Sequence, residues 1–174
     1  KFSEILETTL ETLASALKIN ISPEQKNNFK AALAQLKPHS DVIKGLLVLR
    51  AFGYRIAALT NSTLESTIQI FEKNNLIPYF ERVLSVDSVQ TYKPSKKTYA
   101  FAARELKVQN QDIWMIAAHP WDLQGAAHAG CKTALIIRNS KPENNLFRKP
   151  NFQSNNLYEL ASMIKAQEIK NDGK

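Results

Sequence analysis

Four short apolar runs separated by helical segments are the feature that most constrains the fold of this chain. The runs begin at Ile56, Val83, Ile113 and Thr133, and helical stretches lie between them. Short apolar runs that alternate with helices are typical of β-α units in a buried parallel sheet. The sequence therefore predicts an α/β fold with a parallel sheet. A polar stretch over residues 139–156 is predicted to be a loop, and a closing helix follows it.

Two amphipathic helices are predicted before the first run. Apolar residues recur at steps of three and four over residues 2–17, which places them on one helix face. A second helix begins at Ser22-Pro23, an N-cap followed by a proline, and ends before Pro38. We expect three parts: a partial helical domain over 1–38, an α/β core over 39–168 and a frayed tail over 169–174.

Charge and composition limit the partners. The chain has 23 basic and 16 acidic residues, a net charge of +7. The basic residues are scattered and accompany no nucleic-acid-binding motif, so we expect a small anionic substrate and no nucleic acid. No apolar run approaches the length of about 18 residues that a membrane span needs, and no membrane association is expected. The single cysteine, Cys131, cannot form an internal disulfide, which favours a cytoplasmic protein.

Polar residues follow the predicted strands, at the edge of the sheet where open parallel sheets bind ligands. Thr60, Asn61 and Ser62 follow the first run, where they bind an anionic oxygen or, alternatively, Asn61 or Ser62 caps the next helix. Lys93 precedes a helix-starting proline, where a cation opposes the helix dipole; it is either paired with an anion or a surface residue. Asp122 lies in the first turn of the next helix, a position that the dipole alone favours. His119 has no second histidine at metal spacing, so zinc is not expected.

Three ordered stretches together resemble the haloacid dehalogenase superfamily, and most closely its type II 2-haloacid dehalogenase branch. They are Ile56 to Ser62, Ser85 through Tyr92-Lys93-Pro94 to Tyr99, and Ala117 to Ala126 with its His-Pro-Trp-Asp segment. The resemblance implies a Rossmann-like parallel sheet with helices on both faces. It also implies that residues 1–38 are part of the helical cap that this branch inserts after its first strand.

The resemblance implies a hydrolase in which an aspartate attacks the substrate carbon, displaces halide and forms an ester that water cleaves. By motif match, Thr60 and Asn61 would bind the substrate carboxylate or surround the nucleophile. Lys93 would keep the attacking aspartate ionised, and Asp122 would position or activate the hydrolytic water. Tyr99 matches a tyrosine near the substrate pocket. The branch implies no cofactor and no metal.

The chain also departs from the branch. The family's nucleophile lies in an Asp-x-Tyr-Gly-Thr motif after the first strand, and none of the five aspartates here is followed by Gly-Thr at that spacing. The early cap arginine that receives halide has no counterpart. The branch's serine and asparagine positions in the last stretch are Ala117 and His119, and His119 either shapes the substrate site or packs.

In this fold the first strand lies in the middle of the sheet, so its absence would expose both neighbouring strands. We therefore expect the missing piece to associate with the chain, either as an N-terminal segment or from the partner in a homodimer. Residues 1–174 alone are expected to be inactive.

Two other functions compete. A magnesium-dependent phosphatase of the superfamily would carry a second acidic residue four positions before Asp122, where both help to hold the cation, and that position is Ala118. A non-catalytic remnant that acts as an interaction module would account for the absent nucleophile. We rank dehalogenation first and phosphatase activity second.

Overall fold

The computed structural model describes residues 2–138 and 148–172, which contain seven α-helices and five strands. The helices are α1 (Phe2–Ala16), α2 (Pro23–Leu33), α3 (Val42–Ala51), α4 (Leu64–Lys73), α5 (Lys96–Leu106), α6 (Pro120–His128) and α7 (Leu157–Asp172). The strands are β1 (Ala57–Thr60), β2 (Arg82–Ser85), β3 (Trp114–Ala117), β4 (Lys132–Ile136) and β5 (Phe152–Ser154). Within the described residues, no helix has the length and apolar composition needed to cross a membrane.

The first four strands are the four predicted apolar runs, and the predicted α/β class is confirmed. Two predictions differ from the structure. β5 lies in the stretch 139–156 for which the sequence predicted only a loop, of which residues 139–147 lie outside the described part. It forms because β4 offers it a parallel edge, with Ala134 opposite Phe152. α7 extends to Asp172, into the segment 169–174 for which a frayed tail was predicted.

The described strands form two parallel sheets instead of a single one. β1 pairs with β2, with Ala57 opposite Arg82 and Thr60 opposite Ser85. β3, β4 and β5 form the second sheet in that order. All four residues of β1 and of β3 are partly exposed, whereas β4 buries three of its five residues. Among the described strands, β1 and β3 are therefore edge strands, each with one side unpaired.

Helices cover both faces of the strands. The larger apolar cluster joins α3, β4 and α7 through Leu46, Ala134 and Leu160. A second cluster, on the side of α5 and α6, contains Tyr99, Ala126 and Cys131. Burial raises the pKa of the Cys131 thiol to about 11, which keeps it a neutral packing group near neutral pH.

The N-terminal segment forms the two predicted helices. Ser22 and Gln25 make the capping box in which each side chain accepts a hydrogen bond from the other's backbone N–H. Two ion pairs join α2 to α1: Lys26–Glu11 and Lys30–Glu7. The segment is attached to the rest of the chain where Asn74 Nδ2 donates to the Leu36 carbonyl oxygen at 3.0 Å.

Candidate active site

The predicted site residues converge at the carboxyl ends of β1 and β3. Thr60 is the last residue of β1, and Asp122 lies in the first turn of α6, just after β3. Lys93 lies in the segment before α5 and reaches both places with its side chain. Parallel strands end at the same edge of the sheet, so short loops after each strand bring these residues together.

Lys93 and Asp122 form a buried ion pair. The Lys93 Nζ lies 2.7 Å from Asp122 Oδ2, and the two side chains are 11% and 4% exposed. The same ammonium donates to the Leu59 carbonyl oxygen at 3.0 Å. An ammonium has three N–H donors, and described residues use two of them. The arrangement leaves one donor for an anionic group that enters the site.

The Lys93 backbone is also held in place. Its N–H donates to Asn61 Oδ1 at 2.9 Å, so Asn61 connects the end of β1 to the Lys93 segment. Thr60 Oγ1 accepts a hydrogen bond from the Ser62 N–H at 3.0 Å. The N-cap of α4 is Thr63, whose side chain accepts a hydrogen bond from a backbone N–H of that helix. The helix-cap alternative for Asn61 is thus excluded, and Asn61 acts as a support for Lys93.

Tyr99 supports Asp122 from the protein interior. Its hydroxyl lies 2.7 Å from Asp122 Oδ1 and 2.8 Å from the Asp122 carbonyl oxygen, and the residue is only 2% exposed. Burial, followed by the hydrogen bond to Asp122, raises the pKa of Tyr99 well above its usual range, so the hydroxyl remains a donor. The resemblance implied a tyrosine near the substrate pocket. In the structure, Tyr99 lies behind Asp122 and positions that carboxylate.

His119 occupies the N-cap position of α6, where its side chain makes no capping hydrogen bond. The His119 ring stacks on the Trp121 ring, with centroids 5.5 Å apart and planes at 12°. His119 is exposed, and Trp121 is 36% exposed. His119 therefore packs against Trp121 at the surface and is not a buried core residue. The pair forms an exposed aromatic surface beside Asp122, and sequence reasoning did not predict the stacking.

Gly125 is a further residue of the site that sequence reasoning missed. It lies on α6 against the segment that carries Lys93. A Cβ at this position would lie 2.4 Å from the Pro94 carbonyl oxygen and 2.6 Å from Pro94 Cβ. Real Cβ atoms essentially never come this close to other heavy atoms. The absence of a side chain at Gly125 therefore sets how closely α6, and with it Asp122, approaches Lys93.

We expect Gly125→Ala to lower both stability and activity, because the added methyl group pushes α6 away from Pro94. A displacement of about 1 Å at a catalytic group costs up to about 100-fold in rate, and overpacking costs about 1–3 kcal/mol of stability. Steady-state kinetics and thermal unfolding measure the two effects.

Gly45→Ala is the matched control, because its Cβ would also meet atoms at 2.4 Å, but those belong to the Leu157 side chain on the α3–α7 side of the core. It should lower the melting temperature and leave kcat within about twofold at a temperature where the variant is folded. Equal losses of kcat in the two variants would contradict the role assigned to Gly125.

Comparison with known proteins agrees with this geometry. Residues 2–136 match a family model described as haloacid dehalogenase-like hydrolase. The chain is 28% identical over 167 residues to (S)-2-haloacid dehalogenase 1 of Pseudomonas sp. (strain CBS-3), covering 94% of this chain and 74% of that protein. It is 26% identical over 152 residues to haloacetate dehalogenase H-2 of Moraxella sp. (strain B), covering 87% and 68%. A solved dehalogenase structure with an intermediate complex superposes with a TM-score of 0.85 at 26% identity, covering 94% of this chain and 72% of that one.

Proposed function

We propose, because the chain belongs to the haloacid dehalogenase-like hydrolases, that its site hydrolyses the carbon–halogen bond of short (S)-2-haloacids without a metal ion. The observation that carries this proposal is the buried Lys93–Asp122 pair, which Tyr99 supports from behind. Burying two charges costs several kcal/mol per ion in desolvation. A buried ion pair is therefore a better indicator of a functional site than an ion pair on the surface.

The chemistry requires an anionic nucleophile held beside a cation. A carboxylate oxygen attacks the substrate carbon C2, and the halide leaves with the bonding electrons, which gives an ester. Water then cleaves the ester at its carbonyl carbon, releasing the 2-hydroxy acid and regenerating the carboxylate. The remaining Lys93 N–H would bind the nucleophile. Asp122 would orient the water and accept its proton, which is then lost to solvent.

We propose that the nucleophilic carboxylate comes from a strand between β1 and β3, contributed by residues outside these 174. One edge of β1 and one edge of β3 are unpaired among the described strands, and both strands are partly exposed. A parallel strand inserted there would end beside the Lys93 ammonium, which lies between the Leu59 carbonyl and Asp122. The strand would come from the same polypeptide or from a second subunit. Without it, residues 1–174 would be inactive.

The donor set disfavours the phosphatase alternative. Each Asp122 oxygen already accepts a hydrogen bond, one from the Lys93 ammonium and one from the Tyr99 hydroxyl. A divalent cation at Asp122 would lie close to that ammonium and be repelled by its charge, and Ala118 stands where a second carboxylate would assist. Over residues 2–138 and 148–172, no three His, Cys, Asp or Glu side chains are grouped so that they could hold a metal ion.

Halide release is the test. The full-length protein, with any residues that precede Lys1, is incubated with (S)- and (R)-2-chloropropionate, with and without EDTA. We expect chloride release from the (S) acid that EDTA does not affect. We expect none from residues 1–174 alone. An aryl phosphate with magnesium serves as the alternative substrate. Magnesium-dependent phosphate release, or no chloride release by the full-length protein, would refute the proposal.

A further inference from the structure

A second link joins the strands at the opposite end from Lys93. Glu168 on α7 accepts a hydrogen bond from the Tyr54 hydroxyl at 2.6 Å through Oε2, and one from Trp114 Nε1 at 3.0 Å through Oε1. Tyr54 precedes β1 by a few residues, and Trp114 is the first residue of β3. One carboxylate therefore joins the amino ends of two strands that do not pair with each other among the described residues.

Several contacts hold the Glu168 carboxylate between Tyr54 and Trp114. The Glu168 side chain is 29% exposed, and the Lys132 Nζ lies 4.0 Å from Oε1. Burial raises the pKa of Glu168, but the hydrogen bonds from Tyr54 and Trp114, together with the nearby charges of Lys132 and Lys165, hold the pKa below its usual range. The carboxylate is therefore ionised at neutral pH, and its hydrogen bonds are charge-assisted. The Trp114 ring is itself held by stacking on Phe152, with centroids 5.5 Å apart.

The two links occupy opposite ends of the same pair of strands. Lys93 joins the Leu59 carbonyl at the end of β1 to Asp122 after β3, and Glu168 joins the beginnings of both strands. A four-residue strand is about 13 Å long. A backbone ladder fixes the spacing of neighbouring strands but does not specify a single twist, since the twist between neighbouring strands differs from sheet to sheet over about −10 to −35°. A side-chain link at one end of β1 and β3 therefore restricts a motion that moves their other ends apart.

We infer that Glu168 is a positioning residue that fixes the twist between β1 and β3 and thereby holds Lys93 against Asp122. This inference rests on the proposed function for its effect on catalysis. The geometric part does not, because it concerns only the relative orientation of the two sheets. Glu168 touches no residue of the candidate site directly, so its effect passes through the strands.

The first experiment measures kinetics of the full-length protein. We expect kcat to fall about tenfold, with little change in KM, in each of four variants: Glu168→Gln, Tyr54→Phe, Trp114→Phe and the double variant Tyr54→Phe/Trp114→Phe. This loss is smaller than the loss of about 100-fold expected when a catalytic group is misplaced by about 1 Å. Because either substitution breaks the same link, the double variant should be no slower than the slower single variant. Tyr158→Phe is the control, since it removes the hydroxyl of an exposed tyrosine on the same helix. Losses that multiply in the double variant, or an unchanged kcat, would overturn the inference.

The second experiment does not depend on activity. Spin labels are attached at two exposed positions, Glu65→Cys on α4 and Gln153→Cys on β5. α4 packs against the β1–β2 sheet, and β5 belongs to the other sheet. Cys131 is buried, with its thiol pKa raised to about 11, so it is poorly reactive with the label. Pulsed electron paramagnetic resonance should show a broader distance distribution in Glu168→Gln than in the parent and in Tyr158→Phe. An unchanged distribution would overturn the inference even if no haloacid were hydrolysed, and a broadened one would support it when the proposed function had failed.

Discussion

Replacing Lys93 with methionine should lower kcat for halide release about 1,000-fold, the upper range for removing one preorganised electrostatic group. Methionine keeps an unbranched side chain of similar length but removes the charge that lies 2.7 Å from Asp122. The nucleophile would then have no cation beside it, and the first chemical step would slow. Single-turnover halide release measures that step directly.

The same substitution should also cost stability. Asp122 is 4% exposed as a side chain, and without Lys93 its charge would remain buried and uncompensated. Breaking a buried pair by removing one partner costs about 3–5 kcal/mol. Lys93→Arg keeps the charge and separates the two effects. The guanidinium is larger and forked, so it should preserve more stability but still reduce kcat.

Lys97→Met provides the matched control for Lys93→Met. Lys97 lies four residues further along the chain and is exposed on α5. The same substitution there removes one positive charge from the protein without touching the ion pair, so kcat should stay within about twofold. If Lys93→Met retained single-turnover halide release at the parent rate, Lys93 would have no role in the chemical step.

The strands and the central pair of the site follow from short-range signals in the sequence. Four apolar runs predicted β1 to β4, and the parallel arrangement required their carboxyl ends to converge. That rule alone placed Lys93 and Asp122 near each other, and the structure brings them to 2.7 Å. The premise used for Lys93 was wrong. The sequence predicted that a helix starts at Pro94, but α5 begins at Lys96 with Ser95 as its N-cap, so the helix dipole does not account for the anionic partner that Lys93 has.

Features that depend on packing between distant segments were not predictable in this way. The Tyr99 hydroxyl reaches Asp122 only because α5 packs beside α6. The close approach of Gly125 to Pro94 likewise needs the relative position of two segments, and a lone glycine in a helix carries no such information. β5 has three residues, too few for a periodic pattern, and its formation depends on the edge that β4 provides.

Helix caps show a different limit. Several polar residues in succession follow β1, and each is a suitable N-cap type. Only the backbone path decides that Thr63 caps α4 and that Asn61 instead binds the Lys93 N–H. The sequence therefore indicated which residue types could cap the helix, and only the three-dimensional structure showed which of them does so.

Asp122→Asn should lower steady-state kcat about 1,000-fold, within the range of about 100- to 10,000-fold that general acid–base catalysis supplies. Its effect should fall on a different step from that of Lys93→Met. Asparagine can still accept a hydrogen bond from Tyr99, but its neutral amide cannot take a proton from water. We expect the ester to form and then persist, so halide release should stop near one equivalent per active site. Mass spectrometry would detect the added mass of the 1-carboxyalkyl group, which the substrate contributes to the ester on the protein.

Asp112→Asn is the control. Asp112 is an exposed aspartate just before β3, and it does not belong to the Lys93–Asp122 ion pair. It should leave kcat within about twofold, because an isolated surface charge contributes little. Multiple turnovers without an accumulated ester in Asp122→Asn would contradict a role for Asp122 in hydrolysis.

The double variant Lys93→Met/Asp122→Asn separates the structural contribution of the pair from its chemical one. Each single substitution leaves one buried charge without its partner, at a cost of about 3–5 kcal/mol, whereas the double variant leaves none. Its free energy of unfolding, measured by denaturant titration, should therefore exceed that of both single variants. Its halide release should nevertheless remain as low as in Lys93→Met, because neutral side chains neither stabilise a carboxylate nucleophile nor accept a proton. A double variant more stable than the parent, yet without its activity, would mean that the charges at Lys93 and Asp122 are retained for chemistry at a cost to the fold.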